Sequence, residues 1–233
     1  HRLASASTNL DVTLTHIEGE DVVGTLIHPV AGFQAVGAPT LLGTDVVALP
    51  YATSDAAGQS LRLDRVDLLG APAQTLGSWP TPEQTVRRVA ITRQVDGDLV
   101  ALFSTNEPAT YLTRFSFATG TFSEPQPAEG TIQYLALASA SLEPFTLVAT
   151  RDTDGGDLVA DIHSIDDFEV EATAPLGAFG NTVVVRAFPA GAHVVVAAEE
   201  AGGFTIRRVA RDGSTEPIQG APDDGFDVRY GRA

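Results

Sequence analysis

A strand–turn–strand pattern recurs along this chain about every 45 residues. One copy reads Thr110-Tyr111-Leu112-Thr113-Arg114-Phe115-Ser116-Phe117-Ala118-Thr119-Gly120-Thr121-Phe122-Ser123-Glu124-Pro125. A second reads Gly203-Phe204-Thr205-Ile206-Arg207-Arg208-Val209-Ala210-Arg211-Asp212-Gly213-Ser214-Thr215-Glu216-Pro217. Looser copies span 60–79, 156–174 and 20–39. A unit of this length cannot bury its apolar face alone, so a fixed period implies stacked or radial repeats. Apolar residues alternate with polar ones at period two, as in Tyr111, Thr113, Phe115 and Phe117. That pattern predicts half-buried antiparallel strands rather than helices.

The repeats divide into units at 44–84, 85–130, 131–180 and 181–225. The last three units predict the same four strands. An inner strand comes first (86–91, 132–138, 182–188), then a second (98–104, 145–150, 193–198). A third follows (111–117, 158–164, 204–210), and a polar fourth closes the unit (121–125, 168–173, 214–218). Residues 10–43 read as a unit lacking its inner strand, and Phe226-Asp227-Val228-Arg229-Tyr230 as an inner strand with nothing after it.

Four antiparallel strands per repeat resemble the blades of a β-propeller. The resemblance implies an all-β chain of about five blades. It also implies closure by the N- and C-terminal strands, with the segment near Val228 beside the segment near Val12. A β-sandwich is the alternative, since turn signals every 8 to 12 residues suit it too. The chain carries no Trp-Asp dipeptide, no double glycine recurring from unit to unit as in kelch repeats, and no Tyr-Val-Thr-Asn signature, so no family within the fold is named. Residues 1–9, rich in Ser, Ala and Thr, read as a flexible tail, and 10–233 as a single domain.

Charge narrows the partners. Asp and Glu number 30 against 14 basic residues, a formal net of −16, and every basic residue is Arg. Such a surface repels phosphate backbones and anionic membranes, so nucleic acid is not an expected partner. No apolar run approaches the ~20 residues that span a bilayer. Cysteine is absent, which removes disulfides, thiolate metal sites and a thiol nucleophile.

The metal candidate is Asp152, Asp154 and Asp157 in Asp152-Thr153-Asp154-Gly155-Gly156-Asp157. Calcium takes several hard oxygens, and alternate acids separated by glycine let a tight loop supply them. The run resembles the calcium loops of integrin-type propellers, but Gly156 and Ala160 stand where ligands are expected. A hairpin turn explains the same residues, as it does Asp96-Gly97-Asp98. The acids of 166–167, 199–200 and 223–227 read as solvated loop charges, or as the paired carboxylates of a glycosidase.

The histidines, His1, His16, His28, His163 and His193, have no metal-binding spacing, though His28 and His163 fall near equivalent ends of third strands. No Gly-x-Ser-x-Gly elbow or phosphate loop occurs. Arg87-Arg88 and Arg207-Arg208 lie in strands with one side chain toward each face, and pairing with acids is their expected role. Trp79, Tyr51, Tyr134 and Tyr230 are interface candidates, with at least two expected in the core.

No residue is assigned to catalysis or to a cofactor. These features predict a non-catalytic propeller that serves as an interaction module or accessory subunit of a bacterial extracytoplasmic assembly, whether periplasmic, surface-bound or secreted. It would bind a protein partner through its acidic surface. The alternative is a carbohydrate-active or other hydrolytic enzyme using carboxylates at the channel mouth.

Overall fold

The computed structural model describes residues 2–6, 11–18, 21–30, 32–55, 58–81, 85–105, 109–128, 134–152, 155–178, 184–200 and 203–218. Five antiparallel sheets follow one another in chain order. The first holds β1 (Arg2–Ala6), β2 (Asp11–Glu18) and β3 (Asp21–Pro29). The second holds β4 (Phe33–Val36), β5 (Thr40–Leu41), β6 (Val46–Asp55), β7 (Gly58–Asp67) and β8 (Gln74–Pro80). The third holds β9 (Val86–Arg93), β10 (Leu99–Thr105), β11 (Thr110–Ser116), β12 (Thr121–Phe122) and β13 (Gln126–Pro127). The fourth holds β14 (Tyr134–Ser139), β15 (Phe145–Arg151), β16 (Asp157–Ser164) and β17 (Val170–Ala178). The fifth holds β18 (Val184–Ala190), β19 (His193–Glu200), β20 (Gly203–Val209) and β21 (Thr215–Pro217).

The fourth and fifth sheets match the four-strand units expected from the repeat, and the third does so with two short strands, β12 and β13, in place of its polar fourth strand. The head of the chain differs. The segment 10–43, read as one unit, splits between two sheets, and β4 forms the first strand of the second sheet. β4 is short, is irregular in pairing between Phe33 and Ala35, and ends at Gly37 and Pro39, so its alternation is weak. Arg2–Ala6, expected as tail, forms β1 along β2; backbone pairing of this kind needs no apolar signature. β2 has neighbours on both sides, and Val12 lies opposite Ala6 and His28. The tail strand around Val228 lies outside the described residues, and the expected closure with it.

The chain divides into two compact units. Unit 1 comprises His1–Ile91 with Leu99–Pro125, and unit 2 comprises Thr92–Asp98 with Gln126–Ala233. Within each, apolar clusters lie between successive sheets. In unit 1, Leu14 of the first sheet and Val30 just after it meet Val47, Leu49 and Val66 of the second. On the second sheet's other face, Ala48, Leu61 and Leu63 meet Val86, Leu99, Phe103 and Phe115 of the third. In unit 2, Phe145, Leu147 and Ile162 of the fourth sheet pack with Val185, Val194 and Val196 of the fifth.

Middle strands are therefore buried on both faces, where half-burial was expected. β10 and β15 are buried at almost every position. Within unit 1 the second sheet packs against the first on one face and the third on the other, so its strands alternate less between buried and wet positions. Close approach sets local sequence as well: a Cβ at Gly37 would meet the Val89 carbonyl oxygen at 2.5 Å. Among the described residues no helix is long and apolar enough to cross a membrane.

Candidate functional site

Packing both faces of the second sheet puts an ionisable cluster inside unit 1. In β7, Leu61 and Leu63 face the third sheet, so Asp64 and Val66 face the first. Asp64 lies directly opposite Leu49 and is buried. A carboxylate in such a place needs donors. His28 Nε2 donates to Asp64 Oδ2 at 3.0 Å from β3, and the Tyr51 hydroxyl donates to the same oxygen at 2.7 Å from β6. All three side chains are buried, and His28 meets Tyr51 edge-on with ring centroids 6.1 Å apart.

Burial alone would raise the Asp64 pKa. The hydrogen bonds from His28 and Tyr51 outweigh it and hold the carboxyl below its ordinary value. The Thr75 hydroxyl, cross-strand from Asp64, also favours the carboxylate, but without a bond short enough to satisfy Oδ1, which is buried and unpartnered among the described residues. Burial first, and the hydrogen bond to Asp64 second, push the Tyr51 phenol well above its usual range. A nucleophilic phenol needs the opposite shift. The cluster is chemically a bolt between two sheets.

Sequence reading placed Tyr51 among the aromatics and His28 at a strand end but did not join them to Asp64. The available signal was Asp64 itself, which period-two alternation places on the same strand face as Val66.

His163 does occupy the same strand position as His28, one residue before its strand ends, and is fully buried. Its Nδ1 donates to the Phe168 carbonyl at 2.9 Å, and its Nε2 has no partner among the described residues. It belongs to a buried polar row across the fourth sheet, where Ser139 faces Thr146 and Thr146 faces His163. The Ser139 and Thr146 hydroxyls are 2.9 Å apart, and Thr92 Oγ1 accepts the Ser139 N–H.

The metal candidate sits in the turn between β15 and β16. The Asp152 N–H donates to the Asp157 carbonyl at 2.7 Å, and Gly156 takes a φ of 80°. This is hairpin geometry. Asp154 lies outside the described residues. Among the described residues, no three acidic or histidine side chains form a metal-holding group. Asp161, the other buried aspartate described, accepts from the Thr173 hydroxyl at 3.0 Å.

Glu143, Asp166, Asp167, Glu169 and Asp212 of unit 2 lie in turns at one end of its sheets, where first strands turn into second and third into fourth. Arg211 in the β20–β21 turn forks onto Glu171 of β17 at 2.7 and 2.6 Å. Glu143 and Asp166 lie near enough to add to the field on Arg211. The Arg211 hydrogen bond holds the Glu171 carboxyl below its ordinary value. Hydrogen bonding at Glu169 N–H does the same for Asp167, and Ser214 for Asp212.

Arg208 faces Glu216 across β20–β21 at 3.9 Å, as its expected role required. Arg87 and Arg88, successive residues of β9, are both exposed. Tyr134 is buried, while Trp79 lies half-buried against Phe103 at 5.9 Å. His1, Tyr230 and the acids at 223–227 lie outside the described residues, as do the side chains of His16, Glu199 and Glu200.

No protein-family model matches the chain, and no curated protein matches it. Solved structures do. The structure of the Dos1 propeller is similar with a TM-score of 0.52 and 11% identity, over 93% of this chain and 54% of that one. The β-propeller domain of the Trilobed protease from Pyrococcus furiosus, described as having an open velcro topology, gives 0.52 and 11%, over 81% and 57%. The intramolecular trans-sialidase from Ruminococcus gnavus gives 0.54 and 14%, over 82% and 45%.

The fold is that of a β-propeller. Its sheets are blades, and at these identities the likeness extends to the fold alone. The chain spans about half the length of the structures it matches.

Proposed function

We propose that this propeller is a non-catalytic interaction module, an accessory subunit of an extracytoplasmic assembly, that binds a protein partner through its acidic surface. One observation carries the reading: acids crowd the turn end of unit 2, where Arg211 is already engaged by Glu171. A net charge of −16 extends the field beyond that face and steers cationic partners toward it. The buried ionisable groups of unit 1 are bonded to one another and closed to a substrate, which favours binding over chemistry. The absence of cysteine and the acidic surface are the grounds for the extracytoplasmic assignment.

The test is isolation of the tagged protein from its native source after mild crosslinking. A stoichiometric protein partner that leaves as salt rises to about 0.5 M supports the reading. A free monomer at every salt concentration sinks it.

The second reading, a carbohydrate-active hydrolase, draws on the shared fold with an intramolecular trans-sialidase. Turnover of any member of a glycoside panel, abolished by a single Asp or Glu substitution, would replace the first reading with this one. Calcium at the Asp152–Asp157 turn would act as a stabilising ion. A melting temperature indifferent to calcium and to chelator removes it.

A further inference from the structure

The turn end of unit 2 exposes apolar side chains as well as acids. Leu142, in the β14–β15 turn, is 71% exposed, and Val170, at the start of β17, is 44% exposed. Leu142 precedes Glu143 in its turn, and Val170 follows the β16–β17 turn that carries Asp166, Asp167 and Glu169. The Ser141 and Leu142 N–H groups bond to Gly191 of the β18–β19 turn, and Arg211 of the β20–β21 turn forks onto Glu171 just after the β16–β17 turn, so these turns lie at one end of the two sheets.

That surface is held rigid. The Ser141 and Leu142 N–H groups both donate to the Gly191 carbonyl at 3.0 Å, and a Cβ at Gly191 would touch Leu142 Cδ1 at 3.7 Å. The neighbouring turn is pinned by Phe168, whose side chain is buried, whose φ is 60°, and whose carbonyl takes the His163 Nδ1–H. A left-handed phenylalanine persists only where its surroundings enforce it. Asp166 N–H donates to Ser164 Oγ, and Glu169 N–H to Asp167 Oδ1. Exposed apolar side chains on a fixed backbone lose little entropy on docking.

We propose that this face docks a basic protein segment carrying an apolar side chain, which packs on Leu142 and Val170 while its cations meet Glu143, Asp166 and Asp167. The charge decides the occupant. A neutral apolar segment would strip water from these carboxylates without replacing it, whereas arginine or lysine replaces it with charge-assisted bonds. An acidic segment is repelled. The inference rests on the interaction-module reading and assigns it a place.

The probe is a labelled peptide of about twelve residues, half arginine with two leucines, read by fluorescence anisotropy against the full chain at low salt. Leu142→Ser should weaken binding about tenfold, and serine in place of the peptide's leucines should do the same. Glu143→Gln with Asp166→Asn should cost about tenfold. Glu124→Gln with Asp67→Asn removes equal charge elsewhere and should cost less than about twofold. Circular dichroism confirms that each variant is folded.

Equal loss from both charge pairs, with no effect of Leu142→Ser, overturns this face while leaving the module reading intact. So does failure of the peptide to bind while a native partner still co-purifies. Absence of both peptide binding and a native partner overturns the two together.

Discussion

Two carboxylate ties join neighbouring blades, one in each unit, and their geometry and worth run in opposite directions. Arg211 and Glu171 make the shorter, forked contact at 2.6 and 2.7 Å, with side chains 43% and 31% exposed. His28 and Asp64 meet at 3.0 Å, with side chains 10% and 6% exposed. Water competes for the first pair and is excluded from the second. An exposed pair is worth roughly 0–1 kcal/mol however good its fork. Breaking a buried one strands its partner and costs several times more. Burial, rather than distance, ranks these two ties.

The sharpest way to break that comparison is Asp64→Ala. It leaves the His28 and Tyr51 donors buried without an acceptor and should cost about 3–5 kcal/mol. For a domain of this size the melting temperature should drop by about 10 °C, read by calorimetry. A loss as small as that of Glu171→Gln would refute the ranking. Tyr51→Phe removes one donor and keeps the ring, so urea unfolding should show a loss of about 1–2 kcal/mol.

The pH profile separates the groups. The folded Asp64 pKa is lowered, so its stabilisation is present above the unfolded value of about 3.9 and is lost as pH falls through the folded one. Glu171 shares that direction. Asp64→Asn should flatten the acid limb more than Glu171→Gln does. The folded Tyr51 pKa is raised, so its contribution is full below about pH 10 and is lost as pH rises further. Tyr51→Phe should flatten the alkaline limb and leave the acid limb sloping.

The smallest effect belongs to Glu171→Gln, within about 0.5 kcal/mol at low salt and nothing measurable at 1 M NaCl. A salt-resistant loss above about 2 kcal/mol would mean that this tie is drier than its exposure indicates.

Much of this was legible before any coordinates. The strand read at 145–150 is β15, Phe145–Arg151, and the one at 193–198 is β19, His193–Glu200. Repetition made these readable, because each unit corroborated the others. The head of the chain had no such support: β4 is four residues long and irregular in pairing, and β1 carries no apolar alternation. The candidate sites were less legible. Asp152 and Asp157 attracted notice as a calcium run, yet Asp64, the buried acid that bolts two blades, looked like one more polar residue in an alternating strand.

Local pattern by itself determined that this chain would be repeated antiparallel sheets with a strongly anionic surface, because strand periodicity, turn residues and charge are properties of neighbours in sequence. Which acid is buried and bonded, and which apolar side chains are left bare at the turns, was decided only when sheets packed on sheets. Burial depends on what another part of the chain places against a residue, and that pairing, between His28 and Asp64 or between Glu171 and Arg211, is written nowhere in the residues' own surroundings along the chain.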